Sequence, residues 1–447
     1  MTLSRLTKNP LITGTLLMTA SGVLSRIIGF FYKVFLSRTI GAEALGIYQL
    51  IGPVFSMCFA LTASAIQTSI SKFVGDVIGQ CSDNLCGEKK ARTYLWIGLI
   101  LSCTLSLVIG AVVYINAGWI AFRLLGEVRC APLLILLTYT LLPSCIHACI
   151  NGYYYGKKRA GIPSACQLVE QLARVGSVWL IYQVTQEQGL AFSAFHAVVG
   201  LVIGEAAGLL FCLLAFASEK HLPKGSYQSL RYNYGKMGKM LLTMVIPLTL
   251  NRVSVAFSAS LENLLIPQRL QLYGYNTADA LSIYGILTGM TLSIILFPSV
   301  LTNSFSVLLL PAISEAKGQD NREKISQAIK KAILYGLLLG LVFTILFLLT
   351  GKQIGNLIFH NTLAGAFIRQ LSWLCPLMYI TSLLSSILHG LGNARQVFFV
   401  NLLACLIRIS MIWFLIPSYG ISAYLWGMLL SYVFTTLSCV FLLRSYI

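Results

Sequence analysis

Acidic residues are scarce in this sequence. Its 447 residues include 14 Asp and Glu against 32 Lys and Arg, charged residues make up only 10%, and no acid follows Glu323. So few charges cannot cover the surface of a globular protein in water. With 57% hydrophobic residues and a mean hydropathy of +0.80, the sequence indicates an all-α polytopic membrane protein.

Motifs of nucleotide hydrolysis and of hydrolytic catalysis are also absent. The sequence has no GxxxxGK[ST] phosphate loop, no HExxH zinc motif and no GxSxG nucleophile turn. Most of the twelve cysteines lie inside apolar runs, and the pair that shares a loop, Cys81 and Cys86, has no second pair at metal-binding spacing. We therefore expect neither an enzyme nor a bound metal or other cofactor.

The basic residues lie in short clusters between apolar runs, so the net charge of +18 indicates membrane topology rather than nucleic-acid binding. If the N-terminus is inside, most Lys and Arg fall on the cytoplasmic side, which predicts that both termini are cytoplasmic. Twelve spans are predicted near 11–36, 47–71, 93–115, 132–150, 162–184, 190–217, 240–266, 284–311, 328–350, 366–389, 396–416 and 420–443.

The chain also contains an internal repeat. Ala44–Tyr48 (ALGIY) recurs as Ala280–Tyr284 (ALSIY), and the same offset relates Gly156–Arg159 to Gly392–Arg395. Six spans per half would give corresponding helices the same orientation in the membrane. We predict a six-helix lobe over 1–217, a basic cytoplasmic linker over 218–239 and a second six-helix lobe over 240–447, related by pseudo-two-fold symmetry around a central cavity.

The first apolar stretch carries positive charge at membrane depth. Arg26 and Lys33 are seven residues apart, so on a helix they share one face with Ser37. An Arg at the centre of a bilayer costs roughly 2.5–3.5 kcal/mol on insertion scales. We expect this stripe to face a water-filled cavity or an anion. The alternatives are an acid paired with Arg26 inside the bundle and a Lys33 side chain that reaches the membrane surface.

Other ionisable residues also fall inside predicted spans. Glu170 and Arg174 are four residues apart in the favourable order, which predicts a structural ion pair on the fifth helix. Arg408 occupies nearly the matching place in the second half without an acid beside it. We expect its partner to be a first-half acid such as Glu205, a run of backbone carbonyls or an anionic ligand.

The seventh span, the counterpart of the first, contains Arg252 and Glu262. Because guanidinium groups match phosphate oxygens in a bidentate way, we predict that Arg26 and Arg252, with Lys33 and Arg408, bind an anionic substrate. Glu262 would tune these arginines or bind a coupling cation. The alternative is a structural Arg26–Glu262 ion pair between the halves.

Glycines inside the spans are expected to serve packing, and histidines are expected to serve packing or hydrogen bonding rather than proton relay. The histidines are His147, His196 and His389. Glycines at four-residue spacing, which let helix backbones approach closely, are Gly200, Gly204 and Gly208 in the sixth span and Gly285 and Gly289 in the eighth.

Six short motifs resemble those of the stage V sporulation protein B family, in the polysaccharide-transporter branch of the MOP superfamily. They are SRIIGF at 25–30, ISKFV at 70–74, GYYYGK at 152–157, EQLAR at 170–174, YGILTG at 284–289 and PAISE at 311–315. The resemblance implies a MATE-like fold in a bacterial cytoplasmic membrane. It also implies flipping of an undecaprenyl-pyrophosphate-linked saccharide, and in a spore former it would connect the chain with peptidoglycan supply to the spore cortex.

Three functions follow from these observations. The first is a lipid-linked oligosaccharide flippase that works by alternating access, coupled to Na⁺, H⁺ or the membrane potential. A multidrug or cation antiporter of the same superfamily is the second, although cationic cargo would favour acids in the cleft. The third is a membrane scaffold for envelope or spore assembly that transports nothing. The expected partners are a lipid-linked anionic saccharide and membrane lipids, with the protein acting as a monomer.

Overall fold

The computed structural model describes residues 10–80, 84–219, 234–319, 321–444 and 446, and within these ranges the chain is helical almost throughout. The helices are α1 Pro10–Thr39, α2 Gly41–Gln80, α3 Asn84–Ile115, α4 Cys130–Gly156, α5 Gly161–Glu187, α6 Ala194–Ala217, α7 Tyr234–Tyr273, α8 Thr277–Leu296, α9 Ser299–Gly318, α10 Arg322–Phe359, α11 Thr362–Leu371, α12 Leu374–Gly390, α13 Ala394–Tyr419 and α14 Ile421–Leu443. Short helical turns over Ala117–Trp119 and Ile120–Leu125 connect α3 with α4.

The predicted spans coincide with these helices, which confirms the all-α polytopic class. Among the described residues, ten helices are long and apolar enough to cross a membrane, or 11 if α11 and α12, which are bent by 55° at a short break, form one span. The predicted count of twelve is higher because it includes α5, whose Glu170 and Arg174 make it less apolar. The predicted eighth span is interrupted at Phe297 and Pro298, between α8 and α9.

Residue contacts divide the chain into two compact units. The first unit contains the described parts of Met1–Ile28 and Leu50–Phe257, and the second contains Gly29–Gln49 and the described parts of Ser258–Ile447. The helices α1, α2 and α7 therefore contribute to both units. The predicted division at 1–217, 218–239 and 240–447 stays a prediction, and most of its linker lies outside the described residues.

In the first unit, α4 is the central helix. It packs against α3, α6 and the second half of α2, while α6 also packs against α5. The core between α2, α3 and α4 contains Ile70 and the fully buried rings of Tyr153 and Tyr154. A Cβ at Gly152 would lie 2.5 Å from the backbone oxygen of Gln67, so α4 and α2 meet backbone to backbone there.

The second unit repeats this neighbour pattern. Its central helix is α12, which packs against α9, α10 and α14, and α14 also packs against α13. The fourth span of each half is thus central in its own unit, as an internal repeat requires. The repeated motifs themselves pack closely in this unit, since a Cβ at Gly46 would lie 2.2 Å from the backbone oxygen of Leu281.

Candidate functional site

Two of the predicted anion-binding arginines belong to the first unit. Arg26 is exposed on α1, and Arg252 is half-buried on α7. The Nη2 atom of Arg252 donates a hydrogen bond to the Thr68 hydroxyl of α2 over 2.7 Å. Thr68 donates in turn to the backbone oxygen of Ser64, over 3.1 Å, at the end of a π-helical turn. Within the described residues no carboxylate pairs with Arg252, so its positive charge is not neutralised.

The rest of the predicted stripe on α1 lies in the second unit. Lys33 is half-buried and Ser37 is buried, so the exposure of the stripe decreases from Arg26 toward the end of the helix. The Ser37 hydroxyl donates to the backbone oxygen of Val34 over 2.8 Å. Of the three residues, Arg26 is therefore the most exposed.

Glu262 and Arg408, both predicted to bind substrate, bind each other. Arg408 on α13 donates through Nε to the Glu262 carboxylate on α7, and its Nη1 lies 3.2 Å from the Ser431 hydroxyl on α14. Glu205, given as an example of a first-half acid that could pair with Arg408, is not its partner, because each residue is paired inside its own unit. No local sequence signal connects Glu262 with Arg408, because the two residues lie on α7 and α13. The assignment of both residues to substrate binding stays a prediction.

A buried polar network joins α4, α5 and α6 in the first unit. The Glu205 carboxylate of α6 accepts a hydrogen bond from the Ser144 hydroxyl at 2.5 Å and lies 2.9 Å from His147 Nε2, both on α4. Arg174 on α5 places Nη2 2.5 Å from the Glu170 carboxylate and 3.4 Å from that of Glu205. The predicted contact between Glu170 and Arg174 is therefore present, and it is part of a larger network that includes Glu205.

Close helix packing makes this network possible. A Cβ at Gly204 would lie 2.9 Å from the backbone oxygen of Glu170, so α6 lies against α5 at the turn that precedes Glu205. The glycine pattern of the sixth span therefore has the packing role that was predicted for it. His147, expected to serve packing or hydrogen bonding, contacts the Glu205 carboxylate. Sequence spacing could not reveal this contact, because the two residues come from different helices.

The network can hold one additional positive charge. It combines two carboxylates with one guanidinium, and Glu205 is only 4% exposed. One ligand atom each from His147, Glu170 and Glu205 lies within 4.8 Å of the others, which is the spacing of groups that share a cation. A proton on the imidazole or a small cation among these groups would balance the buried charges.

A second polar cluster, which the sequence did not predict, ties helix ends together in the first unit. The Lys157 ammonium after α4 lies 3.1 Å from the Glu88 carboxylate of α3 and 3.0 Å from that of Glu219, after α6. Arg159 adds a contact of 3.0 Å to Glu219. These contacts join three helices at one end, which is a structural role.

Helices long and apolar enough to cross a membrane, with the same packing pattern inside each unit, are typical of a polytopic membrane transporter. The model of the family described as "Polysaccharide biosynthesis protein" matches residues 11–317, and the MatE model matches residues 271–414. Because the first match covers more than half of the chain, the protein belongs to the polysaccharide biosynthesis protein family.

Relatives come from Bacillus subtilis (strain 168). Stage V sporulation protein B is 26% identical over 418 residues, which cover 93% of this chain and 80% of that protein. Sporulation protein YkvU is 21% identical, over 91% of this chain and 88% of its own length. Lipid II flippase MurJ is 21% identical, over 77% of this chain and 63% of its own length.

The fold is that of solved transporters of the MOP superfamily. An inward-facing multidrug resistance MATE family transporter superposes with a TM-score of 0.75 at 16% identity, covering 94% of this chain and 95% of that one. An outward-facing multidrug resistance MATE family transporter gives a TM-score of 0.65 at 15% identity, with 98% and 95% covered. The comparisons confirm the resemblance found in the sequence and the expectation of a transporter rather than an enzyme.

Proposed function

We propose that this protein flips a pyrophosphate-linked saccharide on a polyprenyl lipid across the bacterial cytoplasmic membrane by alternating access. The cargo would be a peptidoglycan precursor or a polysaccharide unit, in a spore former one destined for the cortex. The observation that carries this proposal is the guanidinium of Arg252, which is oriented by the hydroxyl of Thr68 and has no carboxylate partner among the described residues.

The partner of Arg252 is an uncharged hydroxyl, and this affects its ability to bind an anion. A hydroxyl fixes the direction of a guanidinium without cancelling its positive charge, whereas a carboxylate cancels it, as Glu262 does for Arg408. Arg252 therefore keeps N–H donors that match the oxygens of a pyrophosphate in a bidentate way. The exposed Arg26 supplies a second guanidinium in the same unit. A dense anion that must cross hydrocarbon gains from such groups at membrane depth.

The name of one relative, a lipid II flippase, supports this class of cargo, and the names of two others support a connection with sporulation. A multidrug or cation antiporter remains the second candidate, because the MatE model matches part of the second half and two solved structures with this fold are multidrug resistance transporters.

Reconstitution separates the two candidates. Proteoliposomes would be loaded either with a fluorescent polyprenyl-pyrophosphate saccharide or with a cationic dye. The flippase proposal expects translocation of the lipid and no dye efflux above that of empty liposomes. Efflux of the dye without lipid translocation would favour the antiporter, and the absence of both would favour the scaffold.

We also propose that transport is coupled to one cation, held by the network of Ser144, His147, Glu170, Arg174 and Glu205. Two carboxylates with a single guanidinium leave room for one positive charge. The variant E205Q removes one carboxylate but keeps the shape of the side chain. Lipid translocation by the wild type should respond to an imposed Na⁺ or pH gradient, and the E205Q protein should lose that response. An unchanged response in E205Q would contradict the coupling role.

A further inference from the structure

A cavity of about 430 Å³ opens in the second unit between α9, α10 and α12. One face of α10 supplies Lys324, Lys331 and Tyr335 to its wall, spaced so that they lie above one another on the helix. Phe305 and Leu309 of α9 and Leu383 of α12 supply apolar side chains to the wall of the cavity.

The lining changes from charged to apolar along α10. Lys324 and Lys331 lie two turns apart, about 10 Å along the helix axis. Tyr335 follows one turn later, with its ring centroid 4.3 Å from that of Phe305. Such a wall fits a molecule with an anionic group at one end and a hydrocarbon chain at the other.

The two lysines are available to an anion. Neither forms an ion pair within the described parts of the chain. Lys324 Nζ lies 3.4 Å from the side-chain oxygen of Gln319, which is a neutral amide. The carboxylate beside it, Glu323, accepts a hydrogen bond from Gln327 Nε2 over 3.2 Å.

The cavity also lies where α10 enters its apolar stretch. The helix begins with a basic, polar segment and contains the most hydrophobic candidate span among the described residues, with a mean hydropathy of 2.7. The charge distribution predicts that this end is cytoplasmic. Basic residues at such a boundary attract the anionic lipids of the leaflet.

We propose that this cavity is a binding site for an anionic phospholipid of the surrounding bilayer. The phosphate lies between Lys324 and Lys331, and one acyl chain follows the rings of Phe305 and Tyr335 toward Leu383. A zwitterionic phospholipid is disfavoured, because its quaternary ammonium group would face the two lysines. This site is independent of the proposed transport function.

Native mass spectrometry of the full-length protein in detergent tests the site, with phosphatidylglycerol and phosphatidylcholine of identical acyl chains as probes. The double variant K324Q/K331Q should weaken phosphatidylglycerol binding at least about tenfold. The matched variant R322Q/K330Q removes the same charge from the same helix end but from positions that do not line the cavity, and it should change binding by less than about twofold. Ala328 of α10 also lines the cavity. A328F, which fills the cavity without changing charge, should weaken binding like the lysine variant.

Four results would overturn the proposal. The first is equal affinity for the two phospholipids, and the second is an equal loss in both charge variants. The third is displacement of phosphatidylglycerol by inorganic phosphate alone, which would indicate a simple anion site. Selective binding of a polyprenyl phosphate in place of phosphatidylglycerol would assign the cavity to the lipid carrier instead.

Discussion

The guanidinium of Arg252 is held at 2.7 Å by the hydroxyl of Thr68, across two helices of the first unit. A hydroxyl accepts one hydrogen bond and leaves the charge of the guanidinium intact. Arg408 differs, because the Glu262 carboxylate neutralises it. The two arginines thus differ in charge balance, and we expect Arg252 to bind an anion and the Arg408–Glu262 pair to act mainly in stability.

Removing the hydroxyl of Thr68 should impair transport without unfolding the protein. In T68V the guanidinium of Arg252 loses its fixed orientation, and a hydrogen bond from a charged donor, about 1.5–3 kcal/mol, corresponds to a loss of lipid translocation of roughly tenfold or more. The variant T68S keeps the hydroxyl and should retain most of the wild-type rate. Equal rates for both variants in proteoliposomes would mean that the contact does not position Arg252.

The Glu262–Arg408 ion pair should contribute mainly to stability. In E262Q the guanidinium keeps its charge in a half-buried position without its carboxylate, which costs up to about 3–5 kcal/mol, so the midpoint of thermal unfolding in detergent should fall clearly. The double variant E262L/R408L removes both charges and should recover most of that loss. If E262Q unfolds at the wild-type temperature, the pair is not a structural element.

Close approach of α2 and α8 should make Gly46 intolerant of a side chain. A Cβ at Gly46 would lie 2.2 Å from a backbone oxygen, whereas one at Gly52, on the same helix, meets nothing within 4 Å. G46A should therefore destabilise the protein by about 1–3 kcal/mol or more, and G52A should be neutral or slightly stabilising. The comparison of their unfolding midpoints checks the packing directly, and similar midpoints would contradict it.

The loop between α3 and α4 should make a small contribution that depends on pH. Hydrogen bonds from the Arg129 guanidinium, at 2.9 Å to each oxygen, lower the pKa of Glu127 below its usual value. The folded state therefore gains stability above the unfolded pKa of about 4.3 and loses it as the pH falls through the folded value. The difference in unfolding midpoint between wild type and E127Q should shrink as the pH is lowered from neutral to about 3. A difference that does not depend on pH would argue against this linkage.

Much of the fold could be predicted because apolar length and period determine membrane helices. The interruption at Phe297 and Pro298 was missed, because proline is common in membrane helices and does not by itself end one. The helix α5 shows that hydropathy alone can also miss a helix of the bundle. Its Glu170 and Arg174 lower its hydropathy, yet it packs as part of the first unit because α6 contacts it through glycines.

The site was less accessible from sequence, because its contacts join distant helices. A spacing of four residues placed Glu170 beside Arg174, but nothing local connects Glu205 with His147, or Glu262 with Arg408. The offset of the internal repeat relates Arg26 to Glu262, which suggests an ion pair between them. In the second unit, however, the Glu262 carboxylate binds Arg408. Only the folded arrangement of helices decides such pairs.

The most direct test of the central claim is the translocation rate of a fluorescent polyprenyl-pyrophosphate saccharide by the double variant R26Q/R252Q in proteoliposomes. Its matched control is R123Q/R322Q, which removes two exposed arginines outside the proposed site. Two charge-assisted contacts of about 1.5–3 kcal/mol each predict a loss of roughly 100-fold or more in the first variant and almost none in the control. Equal rates in the two variants, with both proteins folded in detergent, would contradict the account.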